Sequence, residues 1–409
     1  MSRHIRKLSQ WEEEVSKNLP HLSRPQIAVL ALYSFGMVVV RSCGISSIAY
    51  GLGLLLDKKE NTMRQRLREL TYDAADKRGD KRRELDVTTC FGPLLGWILS
   101  WWEADEKRLA LAMDASTLGQ RFTVLSVNVV YRGCAIPVAW IVLKASQKDA
   151  WKPHWLALLN HLKCVVPADW TVIVLTDRGL YAKWLFKAIQ RLNWHPFMRI
   201  NTGGNFRPRG QAGFRPLASA VPDTGMAWSG EVDCFSTKDA RLACTLLACW
   251  DEGYTDPWLI LTDLSPDVAE AAWYGMRTWI EQGYKDTKRG GWHWEQTKMT
   301  DPVRATRLWL AIAVATLWVV SVGGEIDATL PPSSFDALPQ THIARRLVTG
   351  RPQSRRLSCF RRGIIAILVA LIRGEPLPFG HFMPEPWPVS SLAQTDFQST
   401  HEALSHALV

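Results

Sequence analysis

Three carboxylates in this chain stand where they could share chemical work. Asp114 ends the apolar run 108–114, Asp177 follows the run Thr171–Thr176, and Glu281 lies in the segment 266–288, which has helical spacing. An Asp at a strand end is often only a turn former or a helix cap, so neither aspartate points to chemistry alone. Glu281 comes with company. At about 100° per residue, Tyr274, Arg277, Glu281 and Lys288 fall at about 0°, 300°, 340° and 320°, one polar stripe about 60° wide. Ala272, Trp273, Met276, Trp279 and Ile280 form the adjoining apolar face. Such a helix packs by one side and offers Tyr, Arg, Glu and Lys on the other. A solvated face with an Arg277–Glu281 pair four residues apart would give the same pattern. Phosphodiester cleavage and transfer would use these residue types differently. Carboxylate oxygens suit Mg²⁺. Two such ions can activate an attacking oxygen and stabilise a leaving one. Arg as a fork and Lys as a point charge hold phosphates.

The elements that must position these groups can be read from the periodicities. Strands are expected at 108–114, Phe122–Tyr131 and 135–144, the last two joined as a hairpin through Arg132-Gly133. A helix over 151–163, a strand at Thr171–Thr176, a helix over 180–192 and a strand at 196–200 follow. The order β-β-β-α-β-α-β is that of the ribonuclease H-like fold, in which the first and fourth strands are neighbours and their acids can converge. Residues 201–264 break the pattern. They are Gly- and Pro-rich at first, then strand-like at 227–235, 243–250 and Trp258–Thr262. Ser265-Pro266 restarts a helix, with a cap residue followed by Pro at the first helical position.

Residues 1–100 read as helical. Leu8, Trp11 and Val15 recur at helix spacing, and Ser23-Arg24-Pro25 starts a second helix. A segment over 46–56, the turn Asp57-Lys58-Lys59-Glu60 and a basic helix over 61–70 could form a helix-turn-helix or a solvated helix hairpin. The fold class expected is therefore α/β. A ribonuclease H-like catalytic core over 101–200 and 265–325 is interrupted by a β-rich insertion over 201–264. A helical N-terminal domain over 1–100 precedes it. A helical basic C-terminal region over 326–374 and a Pro-rich irregular tail over 375–409 follow.

Tyr274-x2-Arg277-x3-Glu281-x6-Lys288 resembles the YREK signature of DDE insertion-sequence transposases, the number-four family and its relatives, in all four residues and all three gaps. Thr176-Asp177-Arg178-Gly179, with the following helix and Phe197-Met198-Arg199-Ile200, is similar to their second-Asp block. Ala112-Met113-Asp114-Ala115-Ser116 resembles the first-Asp block, and 131–140 the hairpin after it. Residues 258–264 resemble the strand leading out of their β insertion. The resemblance covers roughly 108–320. It implies a DNA transposase that cuts at insertion-sequence ends and joins them to target DNA. Asp114, Asp177 and Glu281 would be catalytic and would hold two Mg²⁺, with Mn²⁺ able to substitute. Tyr274, Arg277 and Lys288 would hold DNA phosphates. Trp250 and Trp258 are candidates for stacking on a flipped base, and Arg64, Arg66 and Arg68 for contacting terminal sequences. The resemblance further implies a homodimer on DNA and a bacterial, nucleoid-associated, cytoplasmic location. A DNA-binding regulator that has kept the fold and lost catalysis is the alternative.

The composition accords with such a partner. The chain has 409 residues, with Lys+Arg 49 against Asp+Glu 39, a net charge of +10, which favours an anionic ligand such as nucleic acid. A hydrophobic share of 47% excludes global disorder. None of the eight Cys forms a CxxC pair and no His cluster has zinc spacing, so reduced thiols are expected. The polar, charged first 25 residues lack the pattern of a signal peptide. The apolar run 308–324 is borderline against the ~20 residues a membrane span needs, and a helix buried in protein is expected there instead. With 20 Trp against 13 Phe and 8 Tyr, the aromatic content is unusual. A Trp excess can stack bases but most often fills core.

Overall fold

Helices and strands form where the periodicities place them, and the result is a mixed α/β protein. The computed structural model describes residues 3–77, 83–147, 150–329 and 357–389. The described residues fall into two compact units, one from within 1–170, 279–332 and 356–385, the other from within 171–278, 333–355 and 386–409.

The first unit opens with four helices: α1 (Arg3–Asn18), α2 (Arg24–Val40), α3 (Ile45–Leu56) and α4 (Glu60–Arg68). Ser23 and Gln26 form a capping box that starts α2, so two orphan donors of its first turn are satisfied locally. Asp57, in the left-handed region at φ 52°, ends α3 and turns the chain into α4, which packs on α3. After α5 (Phe91–Ser100), three strands, β1 (Arg108–Leu118), β2 (Phe122–Tyr131) and β3 (Cys134–Lys144), form an antiparallel meander in the order β3-β2-β1. All ten residues of β2 are buried. Successive strand residues point to opposite faces, so both faces of the meander are covered. The cover is supplied by α6 (Lys152–His161), α8 (Trp279–Thr287) and α9 (Pro302–Ala328), all packed on these strands.

The helix α9 is long and apolar enough to cross a membrane, but 94% of its apolar window is buried against protein. It lies on β3, α2 and α10 (Cys359–Arg373), as expected for a buried helix. Eight Trp are almost wholly buried in this unit: Trp11, Trp97, Trp140, Trp155, Trp292, Trp294, Trp309 and Trp318. Trp11 of α1 stacks on Trp318 of α9 with centroids 4.1 Å apart. Much of the Trp excess is therefore core.

In the second unit, β4 (Thr171–Thr176), α7 (Lys183–Gln190) and β5 (His195–Arg199) form a β-α-β unit with parallel strands. Leu185, Phe186, Ala188 and Ile189 bury the inner face of α7. The strands of 201–264 follow: β6 (Asn205–Pro208), β7 (Arg215–Pro216), β8 (Met226–Cys234), β9 (Leu242–Trp250) and β10 (Trp258–Thr262). They extend the same sheet, because β10 pairs antiparallel with both β5 and β9, in the order β4-β5-β10-β9-β8-β6-β7.

Two expectations are corrected. Asp114 does not end its strand. Residues 115–118 continue pairing with β2 as far as Leu118 opposite Phe122, which leaves Asp114 inside β1. Nor is 266–288 one α-helix. Ala271–Thr278 is a 3₁₀-helix and α8 begins at Trp279. Gly275 weakens the helix interior. The Thr278 hydroxyl donates to the Gly275 carbonyl at 2.8 Å, competing with the backbone bond an α-helix would place there. The 100° spacing used for Tyr274, Arg277, Glu281 and Lys288 therefore does not hold over Ala271–Thr278.

Of the Arg-rich stretch, Arg345, Arg346, Arg351, Arg355 and Arg356 lie outside the described residues. Arg361 is exposed on α10, and Arg362 lies 3.5 Å from the buried carboxylate of Asp327. The described part of the Pro-rich tail is irregular apart from a bridge at Phe382 to Trp102.

Candidate functional site

In the first unit, one face of the β1–β2 hairpin meets one face of α8. Asp114 pairs directly with Ser126, so their side chains share a face. Ser116 and Asn128, two residues along each strand, share it too. On α8, Glu281 and Tyr284 lie at i and i+3, with Lys288 just past the helix end at i+7, the spacing of one helical face. The two faces are bonded together. Tyr284 donates its hydroxyl proton to the backbone carbonyl of Asp114 at 2.8 Å and lies 2.8 Å from the Ser126 hydroxyl. Lys288 Nζ donates to the Ser116 hydroxyl and to the Thr117 carbonyl, both at 2.7 Å. Burial holds the Lys288 ammonium below the ordinary lysine range, with Glu295 pulling it upward. Asp114 accepts the backbone N–H of Ala115 on one carboxylate oxygen at 2.8 Å.

A close helix–strand approach makes this possible. A Cβ on Gly283 would sit 2.8 Å from Ala135 Cβ and 3.1 Å from the Ala135 carbonyl on β3. Any side chain there would lift α8. Beside the contact is a cleft of about 700 Å³ whose lining includes Glu281, Lys285, Lys288, Arg289 and Glu295. Three cations and two carboxylates line it.

In the second unit, Asp177 follows β4 and accepts the backbone N–H of Leu180 at 3.0 Å, which shapes the turn into α7. Arg277 is nearly buried, with Nη2 3.6 Å from the Asp177 carboxylate. Tyr274 is buried at 4% exposure, its ring edge-on to Trp258 at 5.1 Å. Trp258 is 6% exposed and also touches Tyr254. It is core, filled by its aromatic neighbours, and presents no open face to a base. Trp250 is half-buried, with its indole N–H donating to the Tyr254 carbonyl at 3.0 Å. Among the N-terminal arginines, Arg64 pairs with Glu60 one turn back, Arg66 is exposed and Arg68 is half-buried.

The donor chemistry fits Mg²⁺. Asp114 and Glu281 bring hard carboxylate oxygens to facing surfaces of one unit, beside space for phosphates. Among the described residues no three His, Cys, Asp or Glu side chains form a ready metal cluster.

Periodicity missed the polar residues beneath α8. Ser126 and Asn128 read as interruptions in an apolar strand. Their i, i+2 spacing was the available signal, since it puts two polar groups on one face of an otherwise buried strand.

No family model matches the chain, and no curated protein matches it. Among solved structures the chain is similar to the piggyBac transposase synaptic complex with hairpin DNA, at 10% identity over 81% of this chain and 86% of that one, with a TM-score of 0.30. A TM-score that low does not establish a common fold.

Proposed function

We propose that this chain is a DDE transposase with a ribonuclease H-like core, which cleaves DNA strands at insertion-sequence ends and transfers them into target DNA. The observation that carries the reading is the contact of α8 with β1. The Glu and Lys of the YREK-like spacing stand on a face bonded to the strand that bears the first Asp. The proposed catalytic and metal-holding set is Asp114, Asp177 and Glu281. When bound there, two Mg²⁺, for which Mn²⁺ can substitute, supply activation of the attacking oxygen and charge neutralisation at the leaving one.

The chain's own groups hold the DNA. Lys288 exchanges its bonds to Ser116 and Thr117 for a strand phosphate in the adjoining cleft. Arg277 orients the Asp177 carboxylate beside it, and Arg277 and Tyr274 are the further phosphate-holding groups. These contacts position the strand and leave sequence reading to other elements. The arginines of α4, with the exposed Arg66 foremost, take the terminal sequences. The protein acts as a homodimer on DNA at the bacterial nucleoid.

The test uses the wild-type chain, a supercoiled plasmid carrying the DNA that flanks the gene, and Mg²⁺ or Mn²⁺. Cleavage and strand transfer are expected in wild type and lost in Asp114→Ala, Asp177→Ala and Glu281→Ala. Full strand transfer by any of the three variants would overturn the reading. Salt-dependent DNA binding without cleavage by the wild type would instead identify a regulator on the same fold.

A further inference from the structure

Beneath α8 runs a buried chain of hydrogen bonds that the proposed catalytic groups do not include. Asn128 Nδ2 donates to the Ser126 hydroxyl at 2.9 Å, Ser126 and Tyr284 hydroxyls lie 2.8 Å apart, and Tyr284 donates to the Asp114 carbonyl at 2.8 Å. The directions follow from proton counting. Tyr284 has one hydroxyl proton, and the Asp114 carbonyl can only accept, so Tyr284 must accept from Ser126. Ser126, its proton spent on Tyr284, accepts from Asn128. The chain therefore runs one way, from Asn128 through Ser126 and Tyr284 to the main chain of Asp114. Ser126 and Asn128 are buried, and Tyr284 is 9% exposed. In so dry a place each bond polarises the next, and a break anywhere strands a buried polar group.

Granted the metal role proposed for Asp114 and Glu281, on which this rests, we infer that Tyr284 is a positioning residue that sets the separation of those two carboxylates. Glu281 is one turn from Tyr284 on the same face of α8. The Tyr284 hydroxyl ends on the residue that carries the other acid. The phenol is a rigid strut of fixed length between helix and strand. Shape packing alone would let α8 slide on β1 and β2, whereas the hydroxyl ties it to one backbone atom. Ser126 and Asn128 act through Tyr284 by holding its oxygen in place. Lys288 ties the same helix to Ser116 until a phosphate draws it into the cleft, so the Tyr284 bond is the tie that remains when DNA is held.

The experiment is a Mn²⁺ titration of the full chain, followed by the paramagnetic resonance of the free ion, beside thermal melting and DNA binding at fixed salt. Tyr284→Phe keeps the ring and removes the strut's bond. It is expected to weaken Mn²⁺ binding by about tenfold, the lower end of what loss of an outer-shell partner costs, with DNA affinity unchanged. Ser126→Ala is expected to weaken it less. The double variant should be no weaker than Tyr284→Phe alone, because the chain acts as a unit. Should either variant melt at a lower temperature yet bind Mn²⁺ as wild type does, the hydroxyl chain is merely structural and the inference fails. If Tyr284→Phe does not fold, Ser126→Ala decides alone. If Asp114→Asn leaves wild-type Mn²⁺ binding intact, the metal reading itself fails, and the inference with it.

Discussion

At the scale of single residues, Asp286 shows most directly what burial does to charge. It lies on α8 at 5% exposure, and desolvation pushes its carboxyl up to about 7. A hydrogen bond from Gln282 and the charges of Arg361 and Lys285 oppose the rise without cancelling it. The folded pKa lies above the unfolded value of about 3.9, so the folded state binds the proton more tightly. Stability tied to this group is therefore full below about pH 4, falls as pH rises towards 7, and stays low above it. Asp286→Asn keeps the shape and removes the charge. It is expected to leave stability nearly unchanged at pH 4 and to raise it by on the order of 1–3 kcal/mol at pH 8, after discounting for the imperfect match of amide to carboxylate. Urea unfolding of the two proteins at both pH values checks this. A gain of equal size at both would mean that Asp286 does not titrate as its burial requires.

At the scale of elements, the seating of one helix on another depends on glycine. Helices α9 and α10 approach so closely that a Cβ on Gly363 would lie 1.7 Å from the Val319 carbonyl, and one on Gly323 would lie 1.8 Å from the Cys359 carbonyl. Both neighbours are backbone, which cannot rotate aside. Gly363→Ala should gain about 1 kcal/mol in helix propensity and lose about 3 kcal/mol or more to overpacking. A net destabilisation of roughly 2 kcal/mol, seen as a lower urea midpoint, is expected. An unchanged midpoint would show that α10 can shift on α9 without cost. The same reasoning at Gly283 explains how α8 can lay polar groups on the hairpin while its backbone lies close to β3.

At the scale of the whole molecule, the net charge of +10 predicts how DNA would be held. Phosphate neutralisation releases counterions, so affinity should fall steeply and linearly on a log–log plot against salt. Arg66 is exposed on α4. Arg66→Ala is expected to reduce the slope by about one and to weaken binding most at the terminal sequences it contacts. A slope that does not change would remove α4 from the interface. The Trp excess carries no such weight. Sixteen of the 20 indoles are buried, and only Trp151, Trp170, Trp184 and Trp250 keep appreciable exposed surface that could meet a base.

Most strand positions were legible because apolar runs bounded by turn residues leave little choice. Phe122–Tyr131, Thr171–Thr176 and Trp258–Thr262 form as their patterns require. The helix α9 was legible as buried, since its apolar run 308–324 is borderline against the ~20 residues a span needs. Less legible was anything that depends on which atom a polar group finds. Periodicity assumes one rise and one angle per residue, yet Ala271–Thr278 is a 3₁₀-helix with its own rise and angle, and Arg277 at its end lies beside Asp177, a residue far away in the chain.

By itself, then, the sequence determined the order of elements, the apolar faces they bury and the residue types available for phosphate chemistry. These follow from local spacing and from the free energy of removing apolar surface from water, both of which act along the chain. Only the tertiary structure decided that Asp114 lies inside its strand, that Tyr284, Ser126 and Asn128 join it to α8, and that Tyr274 and Trp258 close on each other. Those outcomes depend on directional hydrogen bonds and close contacts between residues far apart in the chain, and no local pattern encodes them.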